Sequence, residues 1–362
     1  MKKKVVVAMS GGVDSSVSAY LLKEAGYDVV GVTLRLWGEE AGGCLANFGR
    51  CCSSQDVHDA RRVCQQLNIP HYTLDWKSIF LKKVVDPFCR AYFSGSTPNP
   101  CIFCNQQIKF GLLLKKVSSW GADYLATGHY AQIEKNAATD KFDLKKALDE
   151  SKDQSYVLYF LSQADLKRLL FPVGKFNKKE IRRLAKKLGW KAADKPDSQE
   201  ICFIEDNNYR NFLKKYDPKR KILPGPIVDL QGKKVGRHTG LPFYTIGQRR
   251  GLGISFPVPL YVLGWDFPKN TLLVGEKRDV YQTTLIVGQV CWLDKETIKF
   301  PLQAEVKIRY KHLPAPALIS RQGKNLFLTF DQPQLAVTPG QAAVFYQGDR
   351  VLGGGTILKT SP

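Results

Sequence analysis

Val5-Val-Val-Ala-Met9-Ser10-Gly11-Gly12-Val13-Asp14-Ser15 joins a β-branched run to a glycine pair and then to the start of an amphipathic pattern. The run reads as a short buried strand, Val5–Met9. Beyond it Val13, Val17, Tyr20 and Leu21 recur on one helical face, and Gly26 stands just past its end. A strand turning through glycines into a helix gathers backbone N–H groups and the positive end of the helix dipole at one point. Such a turn can hold a polyphosphate. The glycines matter because a Cβ would block the approach of phosphate. Neither G-x-x-x-x-G-K-[ST] nor G-x-G-x-x-G follows, so two familiar nucleotide loops are excluded.

The same alternation continues outward. Val29–Trp37 reads as a second strand and Ser53–Leu67 as a second helix, with Val57, Ala60, Cys64 and Leu67 at helical spacing before Pro70. His71–Asp75 and Tyr124–Thr127 read as further buried strands. Strands alternating with helices predict an α/β fold around a parallel sheet, with Thr127-Gly128-His129 at the ligand-binding sheet edge. The glycine-containing stretch Gly38–Cys52 reads as a mobile loop beside the site. Asn177-Lys-Lys-Glu180 resembles a capping box opening a helix that points Ile181, Leu184, Ala185 and Leu188 inward and ends at Gly189. Its other face carries Lys178, Lys179, Arg182, Arg183, Lys186 and Lys187, expected to face outward and meet phosphates.

From about Pro224 the texture becomes short alternating strands with Gly, Pro and Asn turns, which predicts β-barrel or sandwich architecture. The expected division is a catalytic α/β domain at 1–213, a small β-rich domain at 214–280 and a C-terminal β-barrel at 281–362. Lys214–Lys221, rich in basic residues, reads as an exposed linker.

The 362 residues carry 54 Lys and Arg against 33 Asp and Glu, a net charge of +21 and a pI near 9.5. That surplus attracts a polyanion, with nucleic acid the first candidate. The first apolar run falls far short of the roughly 18 residues of a membrane span, and no secretory or transit pattern follows Met1, so a cytoplasmic location is expected and no membrane partner. Nine cysteines, an odd number, argue against a disulfide framework. Cys64, Cys89 and Cys291 read as small buried apolar residues.

Two cysteine segments carry more. Asn99-Pro100-Cys101-Ile102-Phe103-Cys104-Asn105, followed by Ile108-Lys109-Phe110, and Ser198-Gln-Glu-Ile-Cys202-Phe203 match the tRNA-specific 2-thiouridylase family. Gly11–Ser15, Lys152-Asp-Gln-Ser-Tyr156 and Tyr244-Thr-Ile-Gly-Gln-Arg-Arg-Gly251 match it in the same order over essentially the whole chain. The strand, Ser-Gly-Gly-x-Asp-Ser and helix also resemble the pyrophosphate loop of the N-type ATP pyrophosphatases. The resemblance implies adenylation of the wobble-uridine C2 oxygen, then sulfur transfer from a cysteine persulfide. That order is chemically sensible, because AMP turns a poor leaving group into a good one and a persulfide delivers sulfur as a nucleophile.

By resemblance, Cys202 carries the persulfide and Cys104 is the nucleophile that resolves it, leaving a transient disulfide. ATP with Mg²⁺ is the implied nucleotide, held by Ala8, Met9, Ser10, Gly11, Gly12, Val13, Asp14, Ser15, Leu34 and Gly128. Asn99, Pro100, Cys101, His129, Lys152, Asp153, Gln154, Arg309, Tyr310 and Gln341 are implied to contact tRNA. A persulfide donor, a cysteine desulfurase or sulfur-relay protein, is the other implied partner of a monomeric enzyme. Many relatives have Asp where this chain has Cys101. The third thiol leaves two readings open: a metal-free dithiol, or an iron–sulfur cluster anchored by Cys101, Cys104 and Cys202.

Overall fold

The computed structural model describes residues 2–37, 54–196, 201–204 and 208–360. The chain divides into two compact units, one of Met1–Val85, Pro100–Asn208 and Asp349–Val351, the other of Asp86–Asn99, Tyr209–Gly348 and Leu352–Pro362.

The first unit holds β1 (Lys4–Ala8), α1 (Val13–Glu24), β2 (Asp28–Arg35), α2 (Ser54–Gln66), β3 (His71–Asp75) and β4 (Tyr124–Thr127). A hairpin follows, β5 (Gln132–Lys135) and β6 (Phe142–Lys145), and then the short β7 (Leu169–Leu170). Its sheet runs β3-β2-β1-β4-β7 with every pairing parallel. β1 lies at the centre, and Val5 and Val7 are wholly buried beside Val17 of α1. This is the α/β architecture expected, since a strand buried on both faces must be apolar almost throughout. Gly31 of β2 is required by α2, because a Cβ there would lie 2.5 Å from the Cys64 Sγ. Cys64 is fully buried and its thiol pKa is pushed up to about 12 by burial, so it packs as a small apolar group.

One strand departs from expectation. β3 is the sheet edge, not a buried strand, and Tyr72 is 58% exposed. Apolar residues pointing inward at alternate positions do not reveal whether a strand has one neighbour or two. The loop expected at Gly38–Cys52 lies outside the described residues.

The second unit contains two β systems. β8 (Gly225–Val228), β9 (Lys234–His238), β10 (Tyr261–Asp266) and β11 (Thr271–Gly275) form a sheet in the order β10-β11-β8-β9. β12 (Tyr281–Trp292), β13 (Leu302–Lys307), β14 (Ala315–Gln322), β15 (Asn325–Leu335), β16 (Ala342–Gln347) and β17 (Arg350–Thr360) follow in the order β12-β15-β14-β13-β16-β17. Pairing of β12 with β17 closes these six into a barrel. Leu285 and Val287, Ala317 and Ile319, and Leu326, Leu328 and Phe330 alternate into its core, the period of two that the sequence shows. The expected linker at Lys214–Lys221 is only partly irregular. Its first residues end the helix Tyr209–Tyr216, which buries Phe212 and Leu213 and donates from the Tyr216 hydroxyl to Asp86 Oδ1 at 2.7 Å.

Candidate active site

The turn between β1 and α1 is tied to itself by serines. The Ser10 amide donates to Ser15 Oγ at 3.1 Å, and the Ser15 and Ser16 hydroxyls donate to the Gly12 carbonyl at 3.1 and 2.9 Å. Gly11 has φ +71°, and a Cβ there would sit 2.5 Å from the Asp56 carbonyl oxygen. Gly12 is the N-cap and supplies no side-chain cap, so the first-turn amides of α1 remain available to an anion. Ala8 ends β1, Met9 and Val13 are buried beneath the turn, and Leu34 lies buried near the end of β2. Thr127 of β4 pairs in register with Ala8, which brings Gly128 directly over the loop. A Cβ at Gly128 would lie 2.7 Å from the Ser15 nitrogen and 2.8 Å from the Asp14 carbonyl carbon. The nine loop and strand residues expected to hold the nucleotide, together with Gly128, thus meet at one end of the sheet.

Two lysines converge on this turn, and the sequence pattern assigned neither to it. Lys178 is 7% exposed, and its ammonium donates to both Asp14 carboxylate oxygens at 2.7 Å. The Tyr130 hydroxyl donates to Asp14 Oδ1 at 2.8 Å, and the Lys178 ammonium lies 5.5 Å from the Tyr130 ring centroid. Lys195 donates to the Gly11 carbonyl at 3.2 Å and pairs with Asp56 at 3.0 Å and Asp59 at 2.6 Å. Burial opposes the Lys195 charge, but the hydrogen bonds to Asp59 and Asp56 outweigh it and raise its pKa. Glycine amides and an uncapped helix start form a cradle suited to a polyphosphate, while its two lysines are held by carboxylates, Lys178 by Asp14 and Lys195 by Asp56 and Asp59. Asp14 is the carboxylate at the mouth of this turn, accepting from Lys178 and Tyr130.

This corrects the reading of the Lys178–Lys187 helix. Ile181 and Ala185 do point into the core, and the Asn177 amide does donate to Glu180 Oε2 at 2.8 Å. Lys178, however, faces inward, and Arg182 donates to the Ala193 and Lys195 carbonyls at 2.6 and 3.0 Å. Lys178 is the first helical residue, and its contact with Asp14 draws it inward while the exposed basic residues follow later on the helix. Lys179, Arg183 and Lys187 remain exposed, while Lys186 pairs with Asp194 at 3.1 Å.

The cysteine segments sit in the same unit. Pro100–Phe103 forms one helical turn in which Cys101 is exposed, and Cys104 opens a π-helix, Cys104–Leu113. Widened π turns recur at functional sites because they displace a side chain from the regular helical ladder. Asn105 is buried beside it, with Nδ2 donating to the Val157 carbonyl at 3.2 Å. Cys202 is half-buried, and the next residue, Phe203, packs against Trp37 and Phe80 at centroid distances of 6.0 and 5.8 Å. That aromatic anchor fixes the Cys202 segment, although Ser198–Glu200 of the motif lie outside the described residues. Among the described residues no three His, Cys, Asp or Glu side chains converge as a metal-ligand set. The three-thiol iron–sulfur reading therefore finds no ligand geometry here.

Comparison with known proteins places these features. A profile described as the tRNA methyl transferase HUP domain matches residues 3–206, one described as the tRNA methyl transferase PRC-barrel domain matches 210–276, and the aminomethyltransferase beta-barrel domain matches 282–357. The chain is 50% identical over 361 residues to the tRNA-specific 2-thiouridylase MnmA of Heliobacterium modesticaldum, covering 99% of this chain and 93% of that one. It is 47% identical over 361 residues to the protein of the same name from Clostridioides difficile strain 630, covering 99% of each. The chain belongs to the tRNA-specific 2-thiouridylase family. A 4-thiouridine synthetase–RNA complex with bound ATP is 18% identical, with a TM-score of 0.36, over 60% of this chain and 50% of that one. No helix among the described residues is long and apolar enough to cross a membrane.

Within this 2-thiouridylase-family fold, the residues expected to meet tRNA are dispersed. Asp153 is buried, accepting from the Ala147 and Ser155 amides at 3.1 Å each, and Gln154 accepts from the Tyr130 amide at 2.9 Å. Both side chains thus brace the turn, while Lys152 ends a short helix just before them. His129 is buried against Phe110 and Phe171, and burial holds its pKa well below the ordinary value. In the second unit Arg309 donates to the Leu335 carbonyl at 2.8 Å, Tyr310 is exposed, and Gln341 donates to the Thr97 carbonyl at 2.6 Å. Arg309 also lines a groove of about 380 Å³ with Lys311, His312 and Gln334. Sequence reasoning missed Tyr130, Lys178 and Lys195 at the turn between β1 and α1. No local pattern distinguishes them, because each reaches the loop only through the fold.

Proposed function

We propose that this chain is a tRNA-specific 2-thiouridylase, an ATP-dependent sulfurtransferase that replaces the C2 oxygen of the wobble uridine with sulfur. The observation that carries this reading is the shared unit: an anion-holding turn and the two cysteine segments lie on one α/β framework. Gly11, Gly12 and the first amides of α1 bind the pyrophosphate portion of ATP. Asp14 would hold Mg²⁺, which supplies charge neutralisation on the phosphates. The uridine, with Asn99, Pro100 and Cys101 lining its pocket, leaves its stack so that the C2 oxygen reaches the α-phosphate. Its oxygen takes AMP and pyrophosphate departs.

Sulfur transfer follows in two displacements. The Cys104 thiolate attacks the inner sulfur of the Cys202 persulfide, forming a Cys104–Cys202 disulfide and expelling hydrosulfide. Hydrosulfide adds to C2, and AMP leaves with the original oxygen. A dithiol reductant restores the two cysteines, and a persulfide donor, a cysteine desulfurase or sulfur-relay protein, reloads Cys202. His129, Lys152, Asp153, Gln154, Arg309, Tyr310 and Gln341 form the tRNA-contacting set. Domains spanning 1–213, 214–280 and 281–362, a monomeric state and a cytoplasmic location complete the proposal.

Mass analysis of bulk tRNA with and without the protein tests the function directly. Absence of any protein-dependent 2-thiouridine refutes it. Cys202→Ser should still release pyrophosphate with tRNA but transfer no sulfur, and Cys104→Ser should accumulate protein-bound persulfide. A Cys101–Cys202 disulfide after one turnover, with Cys104 dispensable, would reassign the nucleophile.

A further inference from the structure

Asp14 is doubly engaged by a cation that the phosphate loop does not itself contain. The Lys178 ammonium bridges both carboxylate oxygens at 2.7 Å, so a divalent cation would have to compete with it for the same carboxylate. Its side chain is 9% exposed against 30% for Asp14, so the pair opens toward solvent on the carboxylate side. Tyr130 adds a third donor at 2.8 Å, which saturates Oδ1 further. The Lys178 amide is fixed by Asp149 Oδ2 at 2.9 Å, so the root of the side chain is anchored while the ammonium ends a flexible four-carbon stem. Lys195 differs in kind. It is held between Asp56, Asp59 and the Gly11 carbonyl, and serves as a strut for the loop.

We propose that Lys178 occupies Asp14 in place of the metal until nucleotide arrives, and then transfers its ammonium to a phosphate oxygen as Asp14 takes up Mg²⁺. The proposal rests on the reading that the protein uses ATP with Mg²⁺. Every charge keeps a partner throughout the exchange: Asp14 passes from ammonium to metal, and Lys178 from carboxylate to phosphate. Moving a buried ammonium off its carboxylate is costly unless another anion receives it, so the two exchanges are linked. Metal alone competes for Asp14 without supplying the phosphate oxygen to which the ammonium moves, so Mg²⁺ and nucleotide bind as a cooperative pair. Lys178 is then both a guard against metal binding without nucleotide and a phosphate-contacting residue.

The test uses the full chain, Mn²⁺ as the probe read by the electron paramagnetic resonance of the free ion, and a non-hydrolysable ATP analogue. Wild type should retain no tight Mn²⁺ alone and one Mn²⁺ with the analogue. Lys178→Met should bind Mn²⁺ alone at least about tenfold more tightly than wild type. Its affinity for the metal–analogue complex should fall by about 10- to 100-fold, the size expected for one charged hydrogen bond. Lys178→Arg should keep Mn²⁺ out and recover part of the nucleotide affinity, and Asp14→Asn should lose Mn²⁺ in both conditions. Tight Mn²⁺ binding to wild type alone that vanishes in Asp14→Asn overturns the proposal, whether or not Lys178→Met folds. So does a folded Lys178→Met with wild-type affinities, which leaves the ATP reading standing. Wild type that binds no nucleotide at all removes the ATP reading itself, and the exchange with it.

Discussion

Gly128→Ala isolates one close backbone approach at the turn between β1 and α1. Gly128 does not have the left-handed conformation that demands glycine, so alanine costs the backbone nothing and only the added methyl acts. That methyl would sit 2.7 Å from the Ser15 nitrogen, 2.8 Å from the Asp14 carbonyl carbon and 2.9 Å from the Asp14 Cβ. Ordinary contact begins near 3.4 Å, so the start of α1 and β4 must separate by about 0.7 Å. Neither side can yield by rotating a side chain, since two of the three atoms are backbone. Overpacking of this kind costs roughly 1–3 kcal/mol. A displacement approaching 1 Å at reacting groups lowers rates by roughly 10²-fold. The expected result is a KM for ATP raised and tRNA-dependent pyrophosphate release lowered by about 10- to 100-fold, with tRNA affinity nearly unchanged. Gly264→Ala in β10, where a methyl meets nothing within 4 Å, is the control and should stay within about 0.5 kcal/mol of wild type. Wild-type kinetics for Gly128→Ala would show that the loop tolerates displacement and that its close packing does not position the nucleotide.

Other outcomes follow from the same geometry. Reversing Lys179, Arg183 and Lys187 to Glu, while sparing the internally bonded Lys178 and Arg182, should weaken tRNA binding and flatten its salt dependence by about 0.7–0.9 for each phosphate no longer neutralised; an unchanged slope would make this helix face merely solvated. Burial, with Arg309 nearby, lowers the His312 pKa from 6.5 to about 4. Between those values the unfolded chain binds a proton that the folded chain refuses. The stability from this site is therefore full above pH 6.5 and is lost as pH falls toward 4, by up to about 1.4 kcal/mol per pH unit. His312→Gln should flatten that acid limb in urea denaturation measured against pH, and an unaltered limb would contradict the assignment.

Several levels of this protein were legible as pattern. The β-branched run, glycine turn and helical face at Val5–Leu21 define a strand, a turn and a helix whose chemistry is local. The two-residue period after Pro224 defines barrel strands for the same reason. The cysteine segments were readable because each motif is contiguous. β3 was misplaced because edge and interior strands can carry the same alternation.

The sequence by itself determined the α/β and β-barrel classes, the glycine turn between β1 and α1 and the two cysteine segments, since each depends on residues within a few positions of one another. Only the tertiary structure decided that Gly128 must be glycine, that Cys64 packs against Gly31, and that Tyr130, Lys178 and Lys195 converge on the loop. Lys178 shows the reason most plainly. In sequence it begins a basic stripe, but the docking of its helix against α1 carries it 164 positions back to Asp14. Charge pattern along a helix records the spacing of side chains. Which of them turn inward is set by the packing of elements far apart in the chain.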